Sequence, residues 1–151
     1  MPNPSRITGL VLAVVAGWVT PAICQPSSVW DGLYTPVQAE RGAVKYRQQC
    51  AMCHGAVLEG NGEAPPLTGR FIPDWAGTSL ADLFNKIQVT MPLFAPASLN
   101  SSDTEDILAF ILQSNNFPSG AGELRASEAL KLVSFDVGKP ASKDGRPGKR
   151  P

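Results

Sequence analysis

Apolar residues at helical spacing mark out two segments of the chain. Leu80, Leu83, Phe84 and Ile87 recur three and four places apart, which predicts a helix from about Thr78 to Val89. Ile107, Phe110, Ile111 and Ser114 repeat the pattern and predict a second helix, from near Asn100-Ser101-Ser102-Asp103 to about Ser114. Asp103, Glu105 and Asp106 fall in its first turn, where the helix dipole favours negative charge. A third helix is visible from its start. Thr35 suits an N-cap and Pro36 the first helical position, and the segment runs to about Gln48. Gly42 weakens this helix, which suggests that another helix crosses close to it, and Tyr46 lies one turn on along the same face. Little of the chain alternates at period two, so the fold class is all-α with almost no sheet.

Between these helices, His54 to Gly77 is rich in glycine and proline and reads as a loop that needs support from something packed against it. After Asn116, a segment carrying Leu124, Ala129, Leu130, Leu132 and Phe135 extends the domain, with a short helix expected near Ser127 to Leu132. Residues 1–24 read as a secretory signal: Arg6 supplies a positive start, and Ile7 to Val19 are uncharged and apolar but short for a membrane span. Cleavage after Ala22-Ile23-Cys24 is one reading, and lipidation of Cys24 or retention of the segment are the others. Residues 25–135 form the folded domain. Residues 136–151 form a basic tail too poor in apolar groups to order itself.

The formal net charge of zero hides a division. Residues 25–135 hold 7 basic and 11 acidic groups, whereas 136–151 hold 5 basic and 2 acidic ones. The tail is either simply solvated or a tether to an acidic partner or a membrane surface. No nucleic-acid partner is expected. No acid–base pair, phosphate loop or activated nucleophile stands out, and Ser101-Ser102 reads as a helix start.

Chemistry enters at Cys50-Ala51-Met52-Cys53-His54, which spells the Cys-x-x-Cys-His haem-attachment pattern. Two thiols three residues apart on one turn can form thioethers with the two vinyl groups of a single porphyrin. The next residue then sits under the iron, where an imidazole nitrogen ligates it. His54 is the only histidine of the chain. A zinc site would want four ligands, and a redox dithiol would want a βαβ frame that the pattern does not offer. The expected cofactor is therefore one covalent haem c with its iron.

A second axial ligand follows by elimination. Such haems add Met or a second His, and the chain holds three methionines. Met1 starts the chain, and Met52 is tethered beneath the ring inside the attachment turn. Met91 remains, 37 residues after His54, behind a helix and ahead of Pro92. The alternative is that Met91 only fills the core.

The order helix, Cys-x-x-Cys-His, Gly/Pro-rich loop, helix, Met loop, helix resembles class I cytochrome c over essentially all of 31–115. The resemblance implies three main helices around a covalently bound haem, here with a C-terminal extension. It implies that Gly42 meets Phe110 or Ile111 where the first and last helices cross. It carries to Pro65, in Ala64-Pro65-Pro66-Leu67, the carbonyl that holds the proximal His ring. Trp75 resembles the buried aromatic whose N–H meets a haem propionate; Arg70 is a second candidate, and ordinary core packing the other reading of Trp75. An apolar docking patch at the exposed ring edge would come from Ala51, Met52, Ala56, Val57, Pro92, Leu93, Phe94 and Ala95, unless these merely line the haem pocket.

More narrowly, the chain is similar to bacterial cytochromes associated with or fused to pyrroloquinoline-quinone dehydrogenases. The segments Val29-Trp30-Asp31-Gly32-Leu33-Tyr34, Pro65-Pro66-Leu67-Thr68-Gly69, Thr90-Met91-Pro92 and Asn116-Phe117-Pro118 carry that likeness. It implies a periplasmic electron carrier, not an enzyme in its own right. Its partners would be a quinoprotein dehydrogenase and a terminal oxidase or another cytochrome, with membrane contact only through Cys24 or a retained N-terminus. The rivals are a five-coordinate haem protein that binds a small ligand or reduces peroxide, and a tethered haem subunit of an oxidoreductase complex.

Overall fold

The computed structural model describes Pro26, residues 28–136 and Gly138. Residues 1–24, expected to be a secretory signal, and almost all of the expected tail 136–151 lie outside the described residues. The elements run α1 (Pro36–Gln49), α2 (Ala51–His54), α3 (Phe71–Trp75), α4 (Leu80–Thr90) and α5 (Ser101–Ser114), then a 3-10 helix (Glu128–Leu132). Among the described residues the only β pairing is two isolated bridges, from Ser134 to Ser28 and to Ser79. The all-α class holds.

Each long helix begins where a side chain can take an unpaired backbone N–H. Thr35 accepts from Gln38 N, with Pro36 at the first position. Asn100 accepts from Asp103 N. The start of α4 differs from expectation by two residues, because Ser79 and Asp82 form a reciprocal capping box that excludes Thr78 from the helix. The stretch 55–77 is not all loop: α3 occupies Phe71–Trp75, buries Phe71 and brings Trp75 into contact with Phe135.

Helices α1 and α5 pack directly on each other, with α4 against α5 and the 3-10 helix against α4. The closest approach is at Gly42, where a Cβ would collide with the backbone carbonyl of Asp106 and crowd Phe110 Cβ. The tilted ring pair of Tyr46 and Phe110, 5.2 Å apart, lies beside it. The crossing thus uses Phe110, as expected, but its tightest point is one helical turn earlier. Helix α5 is buried on more than its predicted stripe: Thr104, Leu108, Ala109 and Leu112 are also enclosed, because α1, α4 and the C-terminal extension cover it from different sides.

Charge locks the same crossing. Asp106, with a side chain 3% exposed, accepts from Arg41 (2.9 Å) and from Lys45 (2.8 Å). Burial alone would raise its pKa, but hydrogen bonds from Arg41 and Lys45 more than offset that and hold it below the usual carboxylate value. Glu105 accepts from Ala126 N at 2.8 Å, and the buried Gln38 amide both donates to and accepts from the Leu124 backbone. These bonds fasten the extension to the helices. The predicted short helix there is present as the 3-10 turn Glu128–Leu132, which buries Leu130. Phe135 joins Phe71, Trp75 and Phe117 in an aromatic cluster.

Candidate haem-binding site

Helix α1 ends at Cys50, whose N–H returns to Tyr46 O at 2.8 Å. The chain makes one further turn, α2, closed by bonds from Cys53 N and His54 N to Cys50 O. Gly55 stops it at φ 81°, a conformation glycine takes without strain. The buried Tyr46 hydroxyl donates to Gly55 O at 2.8 Å, so the helix that crosses α5 also pins the end of the attachment turn. Burial first, then the nearby Cys50 and Glu59, raise the Tyr46 pKa and keep it a neutral donor.

The following segment folds back beneath the turn. Gly60 N donates to His54 O at 2.8 Å and Leu67 N to Leu58 O at 2.9 Å. This return brings the Pro65 carbonyl to 2.9 Å from His54 Nδ1. A carbonyl can only accept, so the bond places the ring proton on Nδ1 and leaves the lone pair on Nε2, the nitrogen a metal would take.

All of this opens on a cavity of about 470 Å³. Cys50, Cys53, His54 and Pro65 line one part of it, Phe71 and Trp75 another, Leu83 and Ile87 of α4 and Ile107 and Ile111 of α5 a third, and Met91 with Pro92, Leu93 and Phe94 the rest. The six residues singled out from the sequence therefore share one cavity. Arg70 is not among its lining residues and pairs instead with Asp74 at 3.7 Å. Met91 is the C-cap of α4, and its N–H still reaches back to Ile87 O. The helix end thus fixes where the Met91 loop begins.

The donor set suits a porphyrin better than its rivals. Both thiols are free, and burial, with Cys53 adjacent, pushes the Cys50 thiol up to about 11. A redox dithiol needs the opposite shift, since its thiolate must form readily. Among the described residues no group of three His, Cys, Asp or Glu side chains is arranged to hold a bare metal ion. What remains is an apolar slot with two thiols, an imidazole whose Nε2 is free, and a thioether. That is a fit for a flat apolar macrocycle carrying iron.

Four large apolar side chains close in sequence to the site residues are exposed. Met52 is 77% exposed, Val57 71%, Leu93 73% and Phe94 64%. Leu93 and Phe94 also line the cavity, so they serve as lining and as surface together. Glu63 and Asp74, to which no sequence signal pointed, line the cavity as well, and so does Lys86, the lysine nearest Met91 in sequence.

Residues 37–111 match the model of the family described as cytochrome c oxidase, cbb3-type, subunit III. The chain is also similar to the cytochrome bc1 complex cytochrome c subunit of Corynebacterium efficiens, at 29% identity over 98 residues. That match covers 63% of this chain and 32% of the relative, so the chain spans about a third of that protein's length. Among solved structures, the sulfane dehydrogenase SoxCD from Paracoccus pantotrophus superposes with a TM-score of 0.52 at 22% identity, over 86% of this chain and 74% of that one. This last likeness is one of fold.

Proposed function

From the match of residues 37–111 to a cytochrome c family model and the likeness to a cytochrome c subunit, we propose that the chain carries a cytochrome c domain and is a periplasmic monohaem electron carrier. Cys50 and Cys53 would hold the haem through thioethers, and His54 and Met91 would ligate its iron. When bound, the haem supplies one reversible electron at its iron. The rest is done by the protein. The Pro65 carbonyl orients the imidazole and makes it a better donor. Trp75, on the cavity wall, would offer its indole N–H to a propionate. Leu83, Ile87, Ile107, Ile111 and Phe71 keep water away, which with a thioether ligand favours the ferrous state and a high potential. A ligand set that stays bound in both oxidation states needs little rearrangement on transfer.

The observation that carries this reading is the single cavity joining the His54–Pro65 bond to Cys50, Cys53 and Met91. A five-coordinate haem enzyme is disfavoured by the presence of Met91 in that lining. Export rests on residues 1–24 and on the kinship. Among the described residues no helix is long and apolar enough to cross a membrane.

The kinship inferred from sequence makes a quinoprotein dehydrogenase the donor, with a terminal oxidase or another cytochrome as acceptor. The likeness to an oxidase subunit and to a bc1 complex subunit supports a second reading, in which the domain works as a haem subunit docked in such a complex. Co-purification separates the two. The test of the ligand set is Met91→Ala. The variant should keep covalent haem, bind azide or carbon monoxide, and show a lower potential. A neutral-pH ferric spectrum identical to the wild type would remove Met91 from the iron.

A further inference from the structure

Among the described residues six titratable side chains line the cavity: Cys50, Cys53, His54, Glu63, Asp74 and Lys86. Lys86 is the only cation among them. The other cations of the described domain are mostly taken. Arg41, Lys45, Arg70, Arg125 and Lys131 each sit in an ion pair. Only Lys86 and Arg47 take part in no salt bridge among the described residues, and Arg47 does not line the cavity. Lys86 stands on α4 between Leu83 and Ile87, two buried residues of the cavity wall, while itself exposed. An aliphatic stem can lie along apolar surface with its ammonium at the rim.

An exposed lysine without an ion pair, on the wall of an apolar slot, suits an occupant that is apolar in body and anionic at its edge. Resting on the reading that the cavity holds haem c, we propose that Lys86 is the counter-charge of a haem propionate. Arg70, the cation first considered for that role, is engaged with Asp74 and stands outside the lining. Glu63 lines the same cavity and acts against an ionised propionate, while Asp74 is met by Arg70, so a single cation there has a large share in keeping the propionate ionised. Its positive charge also favours the ferrous over the ferric iron. Lys86 is thus a positioning residue that sets the potential and its pH dependence without touching the iron.

The test uses the full chain, exported with its haem, as wild type, Lys86→Gln, Lys86→Arg and Arg47→Gln. The midpoint potential is measured from about pH 5 to about pH 8. Lys86→Gln should lower the potential at neutral pH, and the potential should climb as the pH falls, because the propionate now gains its proton within that range. Wild type and Lys86→Arg should be nearly flat there, and Arg47→Gln should shift the potential less than Lys86→Gln. The ferric spectrum of Lys86→Gln should match the wild type, since the axial ligands stay. A Lys86→Gln potential and pH profile equal to the wild type, or a shift no larger than that of Arg47→Gln, overturns the assignment and leaves the haem reading standing. A wild-type chain that carries no covalent haem overturns both.

Discussion

At the crossing of α1 and α5, Gly42 lets two backbones touch, and the Asp106 carboxylate collects Arg41 and Lys45 from the facing helix. At the cavity, Leu83, Ile87, Ile107 and Ile111 turn apolar surface toward a space that no side chain fills. The crossing satisfies itself. The cavity is shaped to pack an occupant, whose apolar surface would gain dispersion contacts with this lining. Tyr46 joins the two regions: its ring packs at the crossing and its hydroxyl holds Gly55 at the end of the attachment turn. One region is therefore a frame, and the other a mould aligned by it.

The sharpest way to break that division is to remove the occupant. Replacing both Cys50 and Cys53 with Ala should abolish covalent haem and leave a chain that unfolds without cooperativity. Segment 55–70 should become open to proteolysis before the helices do. Thermal unfolding followed by far-UV circular dichroism, with limited proteolysis, reads this. A cooperative transition in the haem-free variant would mean that the mould stands by itself.

Breaking the frame instead should cost stability while leaving the chemistry in place. Gly42→Val puts side-chain atoms where the Asp106 carbonyl lies, and such overpacking costs about 3 kcal/mol. Denaturant unfolding of the holoprotein should show the loss with haem still attached. A variant as stable as the wild type would show that the helices separate freely.

Asp106→Asn should cost on the order of 2 kcal/mol at neutral pH, by leaving Arg41 and Lys45 without their shared acceptor charge. The folded-state pKa of Asp106 is lowered. Its contribution is therefore full above the ordinary carboxylate value of about 3.9 and is lost as the pH falls through the lowered folded value. Lys45 has a raised pKa, so its share of the pairing persists below its ordinary value and fades only as the pH rises through the folded one. The stability gap between wild type and Asp106→Asn should accordingly be flat through neutral pH and close under strong acid. A gap that widens on acidification would contradict the charge pairing.

Smallest in structural effect, Val57→Glu and Met52→Glu alter exposed side chains that do not line the cavity. Spectrum and potential should stay nearly constant while electron transfer to the physiological partner slows, since a charge now faces an apolar contact. Equal rates in both variants, measured by stopped flow, would place docking elsewhere.

Local chemistry made much of this readable in the sequence. Thr35-Pro36 and Asn100 mark helix starts through a single side chain each, and Cys50 to His54 form a motif whose spacing is itself the mechanism. Gly42 announced a close crossing because a mid-helix glycine has few other uses. Long-range features were less visible. Helix α3 lies within a Gly/Pro-rich stretch, and its reason for being is the aromatic cluster with Phe135, a residue far along the chain. The burial of Leu108 and Leu112 depends on three separate neighbours of α5, which no single-helix periodicity reveals. Lys86 looks like any surface lysine until the ion pairs of the other cations show that it alone faces the cavity without one.

Whether this cavity holds one haem bonded to Cys50 and Cys53 can be read from the intact mass of the exported protein under denaturing conditions. The polypeptide should be heavier by one haem, with both thiols closed to alkylation. A polypeptide at its bare mass, with Cys50 and Cys53 both alkylated, would contradict it.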